Sequence, residues 1–193
     1  MNQRDLLDVD WSKIPAPSDD GGAAHLKGMM VPPVSLLATD DRSVTLSALP
    51  GRTVVFAYPR TGEPGRIALV DDWDMIPGAR GCTPQTCAFR DLFAELKTAG
   101  ASQVFGLSTQ SNAYQTEMAS RLHLPFAVLS DEKLELTCAL NLPTMEVAGL
   151  TLIKRLALII DDARITHVLY PVFPPDRNAG DVLEWLKENP VRA

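Results

Sequence analysis

The chain has 193 residues, 46% of them hydrophobic and 22% charged, with a formal net charge of −6. That length supports one well-formed domain with a sizeable core and some decoration. The longest apolar runs, such as Leu156 to Ile160, are far too short to span a bilayer, and the acidic balance without a stripe of Lys and Arg excludes nucleic acid as a ligand.

Residues 1–30 read as an irregular arm rich in Pro, Asp and Gly, with Trp11, Ile14 and Met29 to Val31 as its few anchors. The first residues, Met-Asn-Gln-Arg-Asp, show neither an apolar stretch nor a small-residue cleavage site, so a cytoplasmic location is expected. Residues 31–193 read as a single domain. Val34 to Leu37 and Val44 to Leu46 flank the turn Asp40-Asp41-Arg42 and predict a short hairpin. Arg52 to Tyr58 is a β-branched and aromatic run with the character of a buried strand. Residues 60–81 form a long Gly- and Pro-containing segment, and its Ile67, Leu69, Val70, Trp73 and Ile76 need something to pack on.

A helix is expected next, capped by Thr83 with Pro84 at its first position and Phe89, Leu92, Phe93 and Leu96 on one face, stopping at Gly100. Gln103 to Leu107 is the next strand, and Ser111 opens a helix to about His123. Phe126 to Leu129 is a third strand, followed by a short helix over Asp131 to Leu140 opened by Ser130. Arg155 to Ile160 and Ile165 to Leu169 predict an antiparallel hairpin turning at Asp161-Asp162-Ala163, and a last helix covers Ala179 to Glu188. Alternating strands and helices, then a hairpin and a helix, give an α/β class with a mixed central sheet flanked by helices, the layout of thioredoxin-like folds.

Three cysteines do not make a disulfide framework in a reducing compartment. Cys82 stands at the start of a helix, where unpaired amides and partial positive charge favour a thiolate, the nucleophilic form of the residue. Arg80, and an arginine from elsewhere in the fold, can add to the effect. Cys87 lies roughly 160° around the helix from Phe89 and so off the apolar stripe. Five residues of helix separate the two Cα atoms by about 7.5 Å, beyond the disulfide limit of about 7 Å, so a bond between them requires the first turn to unwind. Two incidental buried thiols are the plain alternative. A metal site is disfavoured, because His25, His123 and His167 are scattered and Cys-x4-Cys is a poor zinc pattern. Cys138 reads as a buried helical thiol.

The stretch Gly81-Cys82-Thr83-Pro84-Gln85-Thr86-Cys87-Ala88-Phe89-Arg90-Asp91 resembles the active-site helix of peroxiredoxins of the bacterioferritin-comigratory-protein (Q-type) group. The similarity continues through Val104 to Thr109, Leu129-Ser130-Asp131, Arg155 to Asp161 and Val182 to Leu186, in matching order over residues 31–189. The resemblance implies reduction of hydrogen peroxide and organic hydroperoxides on a thioredoxin-like fold, without cofactor or metal. It implies that Cys82 is the peroxidatic cysteine, Cys87 the resolving one, and Arg155 the active-site arginine, with thioredoxin or a similar dithiol as reductant. A monomer or homodimer is expected, with no membrane partner.

The chain departs from the family in one place. Its Pro-x-x-x-Thr-x-x-Cys signature would put proline at Met75 and threonine at Ala79. Tyr58-Pro59-Arg60-Thr61 resembles the start of that signature, followed by an insertion at about 60–80. Either Thr61 reaches the pocket with the insertion looped out, or the pocket lacks the hydroxyl. Two other readings remain at this level: a general thiol–disulfide oxidoreductase, although no Cys-x-x-Cys is present, and a redox-sensing protein that docks partners on Ile67 to Ile76.

Overall fold

In a computed structural model, which describes residues 9–191, the run Arg52–Ala57 is strand β3, buried along its whole length at the centre of a mixed sheet. The other strands are β1 (Ser35–Ala38), β2 (Ser43–Thr45), β4 (Gln103–Ser108), β5 (Val128–Ser130), β8 (Leu156–Asp161) and β9 (Arg164–Leu169). Their order is β2-β1-β5-β4-β3-β8-β9. Strands β3, β4 and β5 run parallel, and β8 pairs antiparallel with β3. Two strands not anticipated from the sequence, β6 (Thr144–Val147) and β7 (Leu150–Ile153), form a separate antiparallel ribbon.

Side chains alternate across each strand, so β3 feeds two cores. Val55 and Ala57 face one with Leu107, Leu129, Leu158 and Leu136. Val54 and Phe56 face the other with Phe89, Met118, Val182 and Leu186. The second face carries four helices: α1 (Cys82–Asp91), α2 (Phe93–Thr98), α3 (Asn112–Arg121) and α5 (Asn178–Glu188). The short α4 (Glu135–Leu140) covers the first face.

Three local expectations change. The helix expected from Thr83 to Gly100 breaks at Leu92 into α1 and α2, and its N-cap is Gly81 rather than Thr83. Helix α4 begins at Glu135 rather than Asp131, because the Asp131 carboxylate accepts from the Leu136 and Thr137 amides at 3.1 and 2.7 Å. In the arm, residues 1–8 lie outside the described residues, Ala23 and Leu26 are built into the first core, and the Met30 side chain is exposed while its backbone bridges to Arg164.

The segment 60–80 does find a partner. Trp73 and Ala79 form a third small core with Val147 and Leu152 of the ribbon, joined by Leu69, Val70 and Ile76. Ile67 is left 96% exposed.

Candidate active site

Helix α1 docks on β3 through Phe89, whose ring stacks on Phe56 with centroids 4.0 Å apart. Cys82 is its first residue. The preceding Gly81 has φ +102°, and a Cβ there would meet Pro175 at 2.6 Å and the Trp11 ring at 2.7 Å. Only glycine fits this entry to the helix. The Cys82 thiol, buried at the first turn, donates to the Ala79 carbonyl at 3.5 Å.

Arg155, between β7 and β8, is 2% exposed and points its guanidinium at that sulfur. Its Nη2 lies 3.3 Å from Cys82 Sγ and 3.0–3.3 Å from the carbonyls of Gly78, Ala79 and Arg80. Its Nη1 donates to Gln85 Oε1, and Nε has no hydrogen-bond partner among the described residues. Among the described residues the hydrogen-bond partners of this buried cation are neutral carbonyl and amide oxygens and the Cys82 sulfur. Arg80 is turned instead to Asp74, donating at 3.1 Å.

Two groups that the sequence reading missed extend this arrangement. Gln85 donates through Nε2 to Asn178 Oδ1 at 2.8 Å, which fixes its oxygen toward Arg155. Both are fully buried, and the only signal in the sequence is a polar residue three positions after Cys82 on a helix that proves buried. Tyr114 donates to the Thr61 carbonyl at 3.0 Å and carries the Arg60 guanidinium 5.0 Å above its ring.

Thr61 and Cys82 line one cavity of about 550 Å³, walled by the insertion through Ile67, Leu69 and Trp73 and by Tyr114. Thr61 is buried; its Oγ1 donates to Gln110 Oε1 at 3.1 Å and its amide to the same oxygen at 2.9 Å. Ala79 is fully buried in the third core and does not line this cavity. The four residues singled out from the sequence are therefore unequally gathered: Cys82 touches Arg155, Thr61 shares its cavity, and Cys87 stands apart.

Cys87, although off the apolar stripe, is 6% exposed and packs in the second core. An off-stripe position is no longer exposed when a helix is covered on several sides, and α1 buries Cys82 through Cys87 as well as Phe89. Burial pushes the Cys87 thiol up, and Arg90 only partly opposes it. Cys87 occupies the same unbroken helix as Cys82, so the two thiols are free and a bond between them still demands an unwound turn. Cys138, expected to be buried, is exposed on α4 because that helix turns Leu136, Thr137 and Leu140 inward. Among the described residues no cluster of three or more His, Cys, Asp or Glu side chains could hold a metal, and no helix is long and apolar enough to cross a membrane.

The Redoxin family profile matches residues 26–183. A putative chloroplastic peroxiredoxin Q of Oryza sativa subsp. indica is 32% identical over 163 residues, covering 83% of this chain and 66% of the rice protein. The chloroplastic peroxiredoxin Q of Sedum lineare is 31% identical over 163 residues, 83% of this chain and 77% of that one. Among solved structures, peroxidoxin BcpB from Mycobacterium tuberculosis superimposes with a TM-score of 0.69 at 25% identity, over 88% of this chain and all (100%) of that one. Xanthomonas campestris peroxiredoxin Q, at 19% identity, TM-score 0.64, and coverage of 91% and 98%, shares the fold. A thioredoxin-like α/β sheet with a cysteine opening the helix after β3, together with this degree of likeness along most of the chain, places it in the Redoxin family as a Q-type peroxiredoxin.

Proposed function

We propose that the chain is a thiol-dependent peroxidase that reduces hydrogen peroxide and organic hydroperoxides at Cys82. The observation that carries this reading is the buried Arg155 guanidinium 3.3 Å from the Sγ of Cys82, a residue that itself lines a cavity able to admit a small ligand. The thiolate attacks one peroxide oxygen, the O–O bond breaks, and an alcohol or water leaves, so that Cys82 becomes a sulfenic acid. Arg155 stabilises negative charge on sulfur and on the departing oxygen. The Thr61 hydroxyl proton is committed to Gln110, so its lone pairs are what it offers to a peroxide O–H.

Cys87 is the resolving cysteine in this reading. Unwinding of the first turn of α1 would bring it to Cys82 and would also release the burial that holds its thiol up. Condensation of the sulfenic acid with the Cys87 thiol forms the disulfide and releases water. Thioredoxin or a similar dithiol then reduces it. Two buried free thiols suit a reducing compartment such as the cytoplasm.

The test follows NADPH consumption with thioredoxin, its reductase and a hydroperoxide, for wild type, Cys82→Ser and Cys87→Ser. Peroxide-dependent turnover is expected in wild type and in neither variant, while Cys87→Ser still consumes one equivalent of peroxide. Turnover that survives in Cys82→Ser rejects the assignment. Peptide mapping that finds Cys82 joined to Cys138 or to another chain rejects the role of Cys87.

A further inference from the structure

The arm has no part in the chemistry so far, yet residues 10–20 run along the junction between Cys82 and Arg155. Trp11 stands half-buried against the entry to α1, touching the space where Gly81 would carry a Cβ. Its indole N–H donates to Asp176 Oδ2 at 2.9 Å, and its ring meets Phe173 edge-on with centroids 6.1 Å apart. Further on, Pro17 lies against Gly78 and, with Ser18 and Asp20, faces Arg155 across a small cavity. Asp20 fastens the arm beside the arginine, accepting from Lys154 Nζ at 2.6 Å and from Tyr170 Oη at 2.7 Å.

Gly81 is the N-cap of α1, immediately before the first turn that must open. It is pinned between Trp11 and Pro175 with no room for even one carbon atom. Opening must also draw Gln85 away from Asn178 and Arg155, all three of them buried. The wound turn is the form in which Cys82 meets Arg155; the unwound turn is the form that can bond Cys87.

From this we propose that Trp11 is a positioning residue for resolution: the arm is a strap that holds the first turn wound and slows its opening. The inference rests on the peroxidase reading above. A sulfenic acid held wound stays in the cavity and meets a second hydroperoxide, which oxidises it to the sulfinic acid while the peroxide leaves as alcohol or water. The strap therefore sets how the sulfenic acid divides between disulfide and sulfinic acid.

The experiment uses the full chain and measures formation of the Cys82–Cys87 disulfide after one equivalent of hydrogen peroxide, by acid quench, alkylation and mass spectrometry. Trp11→Ala is expected to speed resolution about fivefold, the factor that one net hydrogen bond gives a local opening equilibrium. Its sulfinic fraction at a fixed excess of peroxide falls to match. Trp11→Phe, which keeps an aromatic ring but loses the N–H and the distal Cη2 that meets Gly81, falls between. Asp176→Ala keeps the indole and removes only its acceptor; it carries the test if Trp11→Ala does not fold. In the wild type, trypsin cleavage after the exposed Lys13 should be about tenfold faster in the disulfide form than in the reduced form. Unchanged resolution in Trp11→Ala and Asp176→Ala, or equal cleavage in the two redox forms, overturns the strap alone. Absence of the intrachain disulfide from every protein overturns both the strap and the role of Cys87.

Discussion

Replacing Thr61 by valine deletes one hydroxyl and preserves the shape of the site. Thr61 Oγ1 donates to Gln110 Oε1, but the same oxygen also takes the Thr61 amide, so no buried acceptor is stranded. The stability cost is then the low end of a net hydrogen bond, about 0.5–1 kcal/mol. For a chain of this size that lowers Tm by about 2–4 °C at most. Reactivity behaves differently if Oγ1 receives the peroxide O–H in the transition state. Loss of one preorganised hydrogen-bonding group then lowers the second-order rate with hydrogen peroxide about 100-fold, equivalent to about 2.7 kcal/mol. Competition against a reference peroxidase, with unfolding curves on the same preparations, separates the two effects. A rate within about threefold of wild type would refute the role of Thr61, because a residue acting only on stability leaves the folded enzyme's transition state untouched.

Ala79→Thr, which installs the residue the family signature calls for, should destabilise the protein by about 1–3 kcal/mol, because Ala79 is fully buried beside Trp73 and outside the Cys82 cavity. It should not raise the peroxide rate; a faster enzyme would show that the hydroxyl reaches Cys82 from that position. Arg155→Met should slow the reaction of Cys82 with hydrogen peroxide by about 10²–10³-fold, measured as the single-turnover rate, and a loss below about tenfold would remove Arg155 from the chemistry. The buried Cys87 thiol gives a pH signature. Its folded pKa is raised, so above the unfolded value of about 8.5 the unfolded chain releases a proton that the native state retains, and stability falls as pH rises through that window. Cys87→Ala should flatten the decline of Tm above about pH 8.5, and an unchanged slope would contradict the burial argument.

The fold was largely legible because its strands and helices keep their own hydrophobic periods. β3, β4 and the β8–β9 hairpin fall within a residue or two of expectation, since β-branched runs between turns have few other uses. The β6–β7 ribbon escaped because it packs on the insertion rather than on the main sheet, so it carries no strong alternation; its burial pattern is broken at both strands. Helix α4 was misplaced because Asp131 caps it from four residues upstream, across Leu134 at positive φ. At the site, Cys82 was readable from its place at a helix start, and Arg155 from the family resemblance. The Gln85–Asn178 link was not, because two amides 93 residues apart meet only once α1 and α5 are packed. Cys138 went wrong for a simpler reason: six residues of helix show too little periodicity to tell which way a single thiol faces.

The third core has a consequence of its own. The wall of the Cys82 cavity is tethered to the β6–β7 ribbon by Trp73 and Ala79, in a cluster separate from the two cores that flank the main sheet. Size and polarity along Ile67, Ala68 and Leu69 can therefore be retailored while the distal end of the segment, Gly78 to Arg80, keeps its carbonyls on Arg155 beside Cys82. In this chain the two ends of the segment are bound to the chemistry, and its middle, which frames the entrance, can diverge at its own speed.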